Sequence, residues 1–330
     1  ELLRAGAEGV GYQFRDRLSA LFPSQVIIDV TEVCNLACIH CPHPTFKKSE
    51  NYSARYLEPE LVEKAIDEVR EHGGGHCQYI RFTSEGEPLI HPDIYDMLQY
   101  AVDHSGAFVT LTTNGTIMNE KRVERLINSG LHMVDVSIDA FSDDTYAKIR
   151  VKGHLPTVRK NVLKLIDLAY KRAYGLGTRV IVSFVQQELN AGEAKPFKAF
   201  WEAAGAVVVL RNLHSAAGAV VPVANIMRAG QARQERRPCV YPWERIVLNP
   251  RGYLAFCPAD WTHGSTVIDY RTTTIRETWQ SQFYVNLREA HLSNNYSCHK
   301  FCGQCPDWAV TRWPGEGRAY ADLVAEMKGE

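Results

Sequence analysis

Short apolar segments alternate with amphipathic segments between residues 25 and 214 of this 330-residue chain. The apolar segments have the length and β-branched composition of buried strands, and they cover residues 26–31, 79–84, 108–113, 133–138, 179–185 and 206–213. Apolar positions at helical spacing predict intervening helices at 59–72, 92–104, 119–129, 157–172 and 196–204. This repetition predicts an α/β fold in which helices connect the strands of a parallel sheet.

The character of the chain changes after residue 214. Residues 215–237 combine a run of small residues with a charged run, and we interpret them as a linker. Beyond them the sequence predicts a β-hairpin, with strands at 245–249 and 253–256, and a helix near 274–291. A further helix is expected at 12–22. The expected organisation is a helical extension, a main unit, a linker and a small C-terminal unit, at residues 1–24, 25–214, 215–237 and 238–330.

Composition narrows the functional classes. Hydrophobic residues make up 45% of the chain, and 37 Lys and Arg residues against 38 Asp and Glu residues give a formal net charge of −1. A near-neutral globular chain is not typical of charge-driven nucleic-acid binding. No apolar run approaches the roughly 20 residues that span a bilayer, and residues 1–17 are charged and lack a signal-peptide core. We expect a cytoplasmic protein that binds neither nucleic acid nor membrane.

The nine cysteines are clustered rather than scattered. Three lie within residues 34–41 in the spacing C-x3-C-x2-C, directly after the first predicted strand, and three more lie within residues 298–305. Close pairs of this kind favour a metal centre over disulfides. Three thiolates hold a cubane iron–sulfur cluster and leave one iron open, whereas structural zinc requires four closed ligands. The alternative is a zinc site completed by His40 or His43.

This spacing resembles that of the radical S-adenosylmethionine (SAM) superfamily, and the resemblance covers most of the chain. It implies a partial (β/α)6, TIM-like barrel in which Cys34, Cys38 and Cys41 bind a 4Fe-4S cluster whose open iron chelates SAM. It also implies that an external one-electron donor, such as flavodoxin or ferredoxin, reduces the cluster, and that SAM then yields a 5′-deoxyadenosyl radical. His40 occupies the position before the third cysteine, which in the family is usually aromatic and packs near the adenine.

Four further segments resemble motifs of the same family, in the same order along the chain. Thr83-Ser-Glu-Gly-Glu-Pro88 resembles the Gly-Gly-Glu-Pro element that binds the methionine amino group, with Glu85 in place of the first glycine. The other three segments are residues 112–115, 137–139 and 146–150. Residues 137–139 resemble the Ser-Ile-Asp element that faces the ribose. Polar residues at the carboxyl ends of barrel strands point into one mouth. The resemblance therefore implies a SAM site made of His40, Gly86, Glu87, Pro88, Thr113, Asn114, Ser137, Asp139 and Arg150.

The C-terminal cysteines resemble those of SPASM and twitch extensions, which are small units that bind auxiliary iron–sulfur clusters. The resemblance implies a hairpin-plus-helix unit that binds a second 4Fe-4S cluster, with the ligands Cys239, Cys257, Cys302 and Cys305. Four thiolates coordinate a cluster fully, which makes it an electron conduit. Zinc remains the alternative for four cysteines. Cys77 is expected to be a core or surface residue, and Cys298 an alternative ligand, a bystander or a hydrogen-atom donor.

The resemblance leaves several reactions open. The cysteine spacing is similar to that of twitch-type aminocyclitol dehydrogenases, so we expect oxidation of a hydroxyl-bearing carbon of a carbohydrate or aminocyclitol to a ketone. A sugar epimerase that uses Cys298 is the alternative, and a peptide-modifying SPASM maturase is a further one. A non-enzymatic iron–sulfur or zinc scaffold would leave the SAM motifs without a role. Glu32 and Arg81 are candidate catalytic residues, and the wider set of candidates for the substrate proton adds Asp29, Arg211 and His214.

Overall fold

The computed structural model describes residues 21–83, 85–171, 177–231, 234–311 and 320–329. Within these ranges the strands form one sheet in the order β6-β5-β4-β3-β2-β1-β7-β8-β9. The first six strands are parallel and follow one another in chain order, which confirms the predicted α/β fold. Their bounds are β1 Gln25–Asp29, β2 Tyr79–Thr83, β3 Phe108–Thr113, β4 Met133–Ser137, β5 Arg179–Gln186 and β6 Val207–Asn212.

The strands form as predicted because they are covered on both faces. All five residues of β1 are buried, and β3 is buried at five of its six positions. Parallel strands of this kind read as continuous apolar runs, which is the pattern that identified them. The helices that connect and flank them are α1 His43–Phe46, α2 Pro59–His72, α3 Ile94–His104, α4 Glu120–Asn128, α5 Asp143–Ile149, α6 Leu155–Lys171 and α7 Ala194–Ala203.

The barrel is open, as the partial-barrel expectation requires. β1 pairs with β2 on one side. On its other side it pairs in parallel with β7 (Arg245–Leu248) instead of with β6. The chain then turns back through β8 (Tyr253–Ala255) and β9 (Thr266–Asp269), which are antiparallel. The predicted hairpin is therefore confirmed, and it extends the barrel sheet. The sequence did not predict β9.

The C-terminal part contains more helix than expected. Its described helices are α8 Val221–Gln231, α9 Tyr241–Glu244, α10 Ile275–Gln280, α11 Gln282–Leu292, α12 Lys300–Gln304 and α13 Tyr320–Lys328. The predicted linker thus contains α8. The predicted helix at 274–291 is two helices, because Ser281 has an extended backbone (ψ 159°) between them. The helix expected at 12–22 lies almost entirely outside the described residues. No helix in the described ranges is both long and apolar enough to cross a membrane.

Two sets of contacts fix the C-terminal part on the barrel. The buried carboxylate of Glu68 in α2 accepts hydrogen bonds from the Tyr270 hydroxyl (2.6 Å) and the Ile275 amide (2.7 Å). Three side chains of α13 pack against the first residues of the strands β2, β3 and β4 and cover the amino-terminal end of the barrel: Leu323, Val324 and Met327. The cysteines of the two groups lie at the other end of the barrel.

Candidate active site

One cavity of about 520 Å³ contains both groups of cysteines in its wall. The seven expected cluster ligands all line it: Cys34, Cys38, Cys41, Cys239, Cys257, Cys302 and Cys305. Eight of the nine expected SAM-binding residues do so as well, Asp139 being the exception. The structure therefore brings together two motif groups that lie some 200 residues apart in the sequence.

The loop of the N-terminal cysteines is held by backbone hydrogen bonds. Ala37 and Ile39 donate to the carbonyls of Val151 and Ile149, both at 3.0 Å, and Glu87 donates to the carbonyl of Val33 at 2.8 Å. Gly86 lies so close to this loop that a Cβ there would be 2.1 Å from the Val33 carbonyl oxygen. A glycine is required at this position because any side chain would displace the residue next to Cys34.

The spacing of the sulfur atoms fits a cluster better than a zinc ion. All seven cysteines lie in the described part of the chain, and no three of their sulfurs come within 4.8 Å of one another. Zinc with Zn–S bonds of about 2.3 Å would hold its sulfurs about 3.8 Å apart. Burial raises the pKa of Cys34 to about 11 and those of Cys41 and Cys305 to about 12. These thiols hold their protons at neutral pH until a metal displaces them.

Asp139 and Arg150 form a buried pair beside the N-terminal cysteines. Arg150 Nη2 lies 2.5 Å from Asp139 Oδ2, and Arg150 Nη1 donates to the sulfur of Cys38 at 3.6 Å. Burial alone would lower the pKa of Arg150, but the charge of Asp139 raises it above its ordinary value. The other oxygen of Asp139 accepts the amide of Val185 at 2.7 Å. Asp139 does not line the cavity and its Oδ2 is paired with Arg150, which it positions, so its expected contact with the ribose stays a prediction.

Glu87 is likewise committed to the protein. Its Oε1 accepts the Thr113 hydroxyl at 2.6 Å and its Oε2 accepts the Asn114 amide at 2.7 Å. Asn114 in turn donates its Nδ2 to Asn35 Oδ1 at 2.9 Å. The loops after β1, β2 and β3 are thus tied into one unit. His40 also lines this unit, and burial lowers its pKa to about 4, so that its imidazole is neutral.

The structure separates the candidate catalytic residues into two groups. Arg81, Arg211 and His214 line the cavity, whereas Glu32, Asp29 and Cys298 do not. The Oε2 of Glu32 accepts the amides of Ser53 (2.8 Å) and Arg55 (3.1 Å), which hold it behind the cavity wall, and its catalytic role stays a prediction. The side chain of Cys298 is exposed on the segment before α12, and its role as ligand, bystander or hydrogen-atom donor stays a prediction. Cys77 is half-buried and donates to the Tyr79 carbonyl.

His214 is both surrounded by protein and accessible, because its ring projects into the cavity. Its Nδ1 accepts the backbone amide of Ala216 at 3.1 Å, so the neutral imidazole carries its proton on Nε2. Burial lowers the pKa of His214, partly opposed by the nearby Asp307 carboxylate. The ring is therefore a neutral hydrogen-bond donor within the cavity.

Asp135 is one of the residues of the cavity wall that sequence reasoning missed. It is buried in β4, its Oδ2 lies 2.5 Å from Arg211 Nη2, and its Oδ1 accepts the hydroxyl of Ser183. A carboxylate inside a buried parallel strand is a detectable signal, because such strands otherwise contain apolar residues. The cavity thus has a polar inner region, formed by Arg81, Asp135, Arg211 and His214.

Comparison with known proteins agrees with this arrangement. The Radical SAM superfamily matches residues 28–184, and the SPASM iron–sulfur cluster-binding domain matches residues 239–306. A curated relative, a probable GTP 3′,8-cyclase of Methanococcus maripaludis, is 27% identical over 181 residues, which is 55% of this chain and 56% of the relative. The chain therefore spans about half the length of the curated relatives it matches.

Two solved structures share the fold over most of the chain. The crystal structure of BtrN in complex with AdoMet and 2-DOIA has a TM-score of 0.59 at 17% identity and covers 88% of this chain and 95% of BtrN. Streptococcus suis SuiB bound to its precursor peptide SuiA has a TM-score of 0.64 at 12% identity and covers 97% of this chain and 76% of SuiB.

Proposed function

Since this chain is a member of the radical SAM superfamily with a C-terminal SPASM domain, we propose that it oxidises a hydroxyl-bearing carbon of a carbohydrate-like or aminocyclitol-like substrate to a ketone. The observation that carries the proposal is the single cavity, whose wall contains both cysteine groups and a polar inner region between strands. Its cofactors are a 4Fe-4S cluster, SAM and an auxiliary iron–sulfur cluster. We assign the cluster ligands to the seven cysteines of the cavity wall.

When bound, SAM on the N-terminal cluster supplies the radical that removes a hydrogen atom from the substrate carbon, and the auxiliary cluster supplies an acceptor for the electron lost next. The protein must then bind the substrate and take the proton of its hydroxyl group. The inner region has the groups for both tasks. Arg81, Arg211 and the Nε2 of His214 are donors for substrate oxygens.

We assign the proton acceptor to Asp135, by comparison with the other carboxylates of the cavity wall. Glu87, Asp307 and Asp135 each accept hydrogen bonds on both oxygens, so their partners distinguish them. Glu87 holds the loop of Asn114 and Asp307 holds the backbone of residues 215–217, whereas Asp135 contacts the side chains of Ser183 and Arg211. Glu244 is paired with its neighbour Arg245, and Glu85 lies beside His263. Asp135 is the carboxylate that lies in the inner region, where it contacts Arg211. Arg211 would hold the carboxylate ionised and oriented until it receives the proton.

The likeness in fold supports a small substrate. It extends over 95% of BtrN, whose structure contains 2-DOIA, but over 76% of SuiB, whose structure contains a peptide. The sugar epimerase alternative assigns a hydrogen atom to Cys298, and the exposure of that residue outside the cavity wall does not favour it. The match to the probable GTP 3′,8-cyclase of Methanococcus maripaludis covers 55% of this chain and 56% of that relative, so it does not carry the activity of the whole relative over to this chain.

The test is anaerobic turnover of the cluster-loaded protein in deuterated water with a panel of sugars, aminoglycosides and cyclitols. We expect a product two mass units lighter than its substrate, together with 5′-deoxyadenosine. Asp135→Asn should still form 5′-deoxyadenosine, but the amount of ketone formed should fall at least tenfold. Glu193→Gln, a carboxylate outside the cavity wall, is the control. A product of unchanged oxidation level with one carbon-bound deuterium would overturn the proposal.

A further inference from the structure

Three loops meet at the cavity wall, which Glu85 lines, and bring together two carboxylates and an imidazole, which we call the three-loop cluster. Glu32 follows β1 and precedes Cys34 by two residues. Glu85 follows β2 and stands directly before Gly86. His263 comes from the C-terminal part, in the loop between β8 and β9. One ligand atom from each of the three residues lies within 4.8 Å of those of the other two.

The members of this cluster are buried with polar atoms that the described residues do not satisfy. Glu32 is fully buried and Glu85 is 7% exposed, and each has one carboxylate oxygen with no hydrogen-bond partner among those residues. Both ring nitrogens of His263 also have no hydrogen-bond partner among those residues, and its side chain is 9% exposed. Buried carboxylates are strongly unfavourable unless hydrogen bonds or a cation neutralise them. The unsatisfied atoms are therefore an observation that points to a missing ligand.

The distances suit a metal ion better than direct hydrogen bonds. His263 Nε2 lies 3.5 Å from Glu85 Oε1, which is longer than a normal N–H···O hydrogen bond. Two ligand atoms that share an ion at about 2.1 Å lie about 3.0 Å apart at a right angle and about 3.4 Å apart at a tetrahedral angle. Two carboxylate oxygens and one imidazole nitrogen form a donor set suited to divalent zinc, manganese or iron.

Arg251 is the competing positive charge at this place. Its Nε lies 3.8 Å from Glu32 Oε1, too far for a hydrogen bond, and its Nη2 donates to the Asn51 carbonyl at 2.6 Å. Two carboxylates against one guanidinium leave one negative charge in excess, which favours a further cation. The competing arrangement is a protonated His263, which would balance the charges without a metal.

We propose that Glu32, Glu85 and His263 bind one divalent transition-metal ion separate from both iron–sulfur clusters. The ion joins the loop of the N-terminal cysteines, the loop of Gly86 and the C-terminal part at a point next to the SAM site. It also gives a reason for Glu85, which stands where the family motif has glycine. The site is structural, and it is independent of the substrate proposed above.

The experiment is a titration of the cluster-loaded protein with Mn²⁺, after treatment with EDTA and desalting, in which the electron paramagnetic resonance signal of free Mn²⁺ is followed. We expect one Mn²⁺ per chain, displaced by Zn²⁺. Glu85→Gln and His263→Gln should each weaken binding at least tenfold. Glu68→Gln, a buried carboxylate that already accepts hydrogen bonds from Tyr270 and Ile275, is the matched control and should bind as the unmodified protein does.

A second variant distinguishes a bound metal ion from a protonated His263 as the source of the balancing positive charge. Arg251→Gln removes the competing charge, so Mn²⁺ should bind severalfold more tightly. Circular dichroism melting, with and without Mn²⁺, shows whether each variant folds, and Mn²⁺ should raise the melting temperature of the unmodified protein but not of His263→Gln. The proposal would be overturned if the unmodified protein failed to bind Mn²⁺. It would also be overturned if Glu85→Gln and His263→Gln bound Mn²⁺ as tightly as the unmodified protein does.

Discussion

The two cysteine groups of the cavity are held in opposite ways. Cys34, Cys38 and Cys41 lie in one loop after β1, and backbone hydrogen bonds from neighbouring loops fix it. The C-terminal four come from separate segments, before α9, after β8, on α12 and directly after α12, and side chains hold them. Arg236 donates to the carbonyls of Cys302 and Gly303, and the Cys239 amide donates to His291 Nδ1 at 3.2 Å.

This difference separates a site whose ligands lie in one loop from a site whose ligands come from separate segments. Backbone hydrogen bonds with Ile149, Val151 and Glu87 hold the N-terminal loop, so backbone changes should break it. The C-terminal group requires the hairpin, α11 and α12 to be packed together, so side-chain changes far along the chain should break it. The two groups can therefore be lost independently.

Gly86→Ala should have the largest effect. The added Cβ would lie 2.1 Å from the Val33 carbonyl oxygen and 2.7 Å from the Val33 amide nitrogen, so the backbone before Cys34 must move. We expect a loss of about 3 kcal/mol of stability, and a fall from about eight to about four iron atoms per chain. Iron analysis and the spectrum of the reduced protein measure the loss of the N-terminal cluster.

Gly74→Ala is the control, since a Cβ there meets no atom within 4 Å in the described structure. It should keep both clusters. Equal loss of both clusters in Gly86→Ala would contradict the independence of the two groups.

Arg236→Ala should break the other group. It removes two hydrogen bonds from a guanidinium to the α12 backbone, and the contact of that guanidinium with the Tyr296 ring at 4.2 Å. We expect a cost of about 2 kcal/mol and loss of the auxiliary cluster, while the N-terminal cluster and its reduction signal remain. Arg228→Ala removes one exposed hydrogen bond to Gln304 and should change little. Retention of both clusters in Arg236→Ala would show that packing alone holds the second group.

The same distinction explains what could be predicted from the sequence. The six parallel strands and the N-terminal cysteine loop are local patterns, and the structure has the strands within a few residues of the predicted bounds. The segment β9 has only four residues and none is buried, so it has no apolar pattern to detect. Helix α8 lies in the segment whose small-residue and charged runs predict a linker, and among its described residues it buries only Ala224, so its apolar signal is weak.

Contacts between residues far apart in the chain could not be predicted from the sequence. Asp135 and Arg211 are 76 residues apart, and neither residue alone indicates that the two form a pair in the cavity. Glu32 was expected in the cavity because it follows β1, but two backbone amides from the 53–55 segment turn it away. Strand ends predict which loops meet, whereas the direction of each side chain depends on partners elsewhere in the chain.

Tyr270→Phe should have a smaller effect than the changes above, because it weakens the contact that fixes the C-terminal part to α2 without touching a cysteine. The Tyr270 hydroxyl donates to Glu68 at 2.6 Å in a buried place. Its removal leaves Glu68 with one donor fewer and should cost about 1 to 2 kcal/mol, measured by urea unfolding. Both clusters should remain. Thr272→Val, which removes an exposed hydroxyl from the same turn, is the control.

Cys298→Ser should have the smallest effect, and it decides which C-terminal cysteines belong to the site. Cys298 is exposed and does not line the cavity, whereas Cys302, four residues later, is buried in its wall. We expect Cys298→Ser to keep its iron content, its stability within about 0.5 kcal/mol and its product, while Cys302→Ser loses the auxiliary cluster. Because a hydrogen-atom donor acts only after SAM cleavage, a Cys298→Ser protein that forms 5′-deoxyadenosine but no product would restore the epimerase alternative.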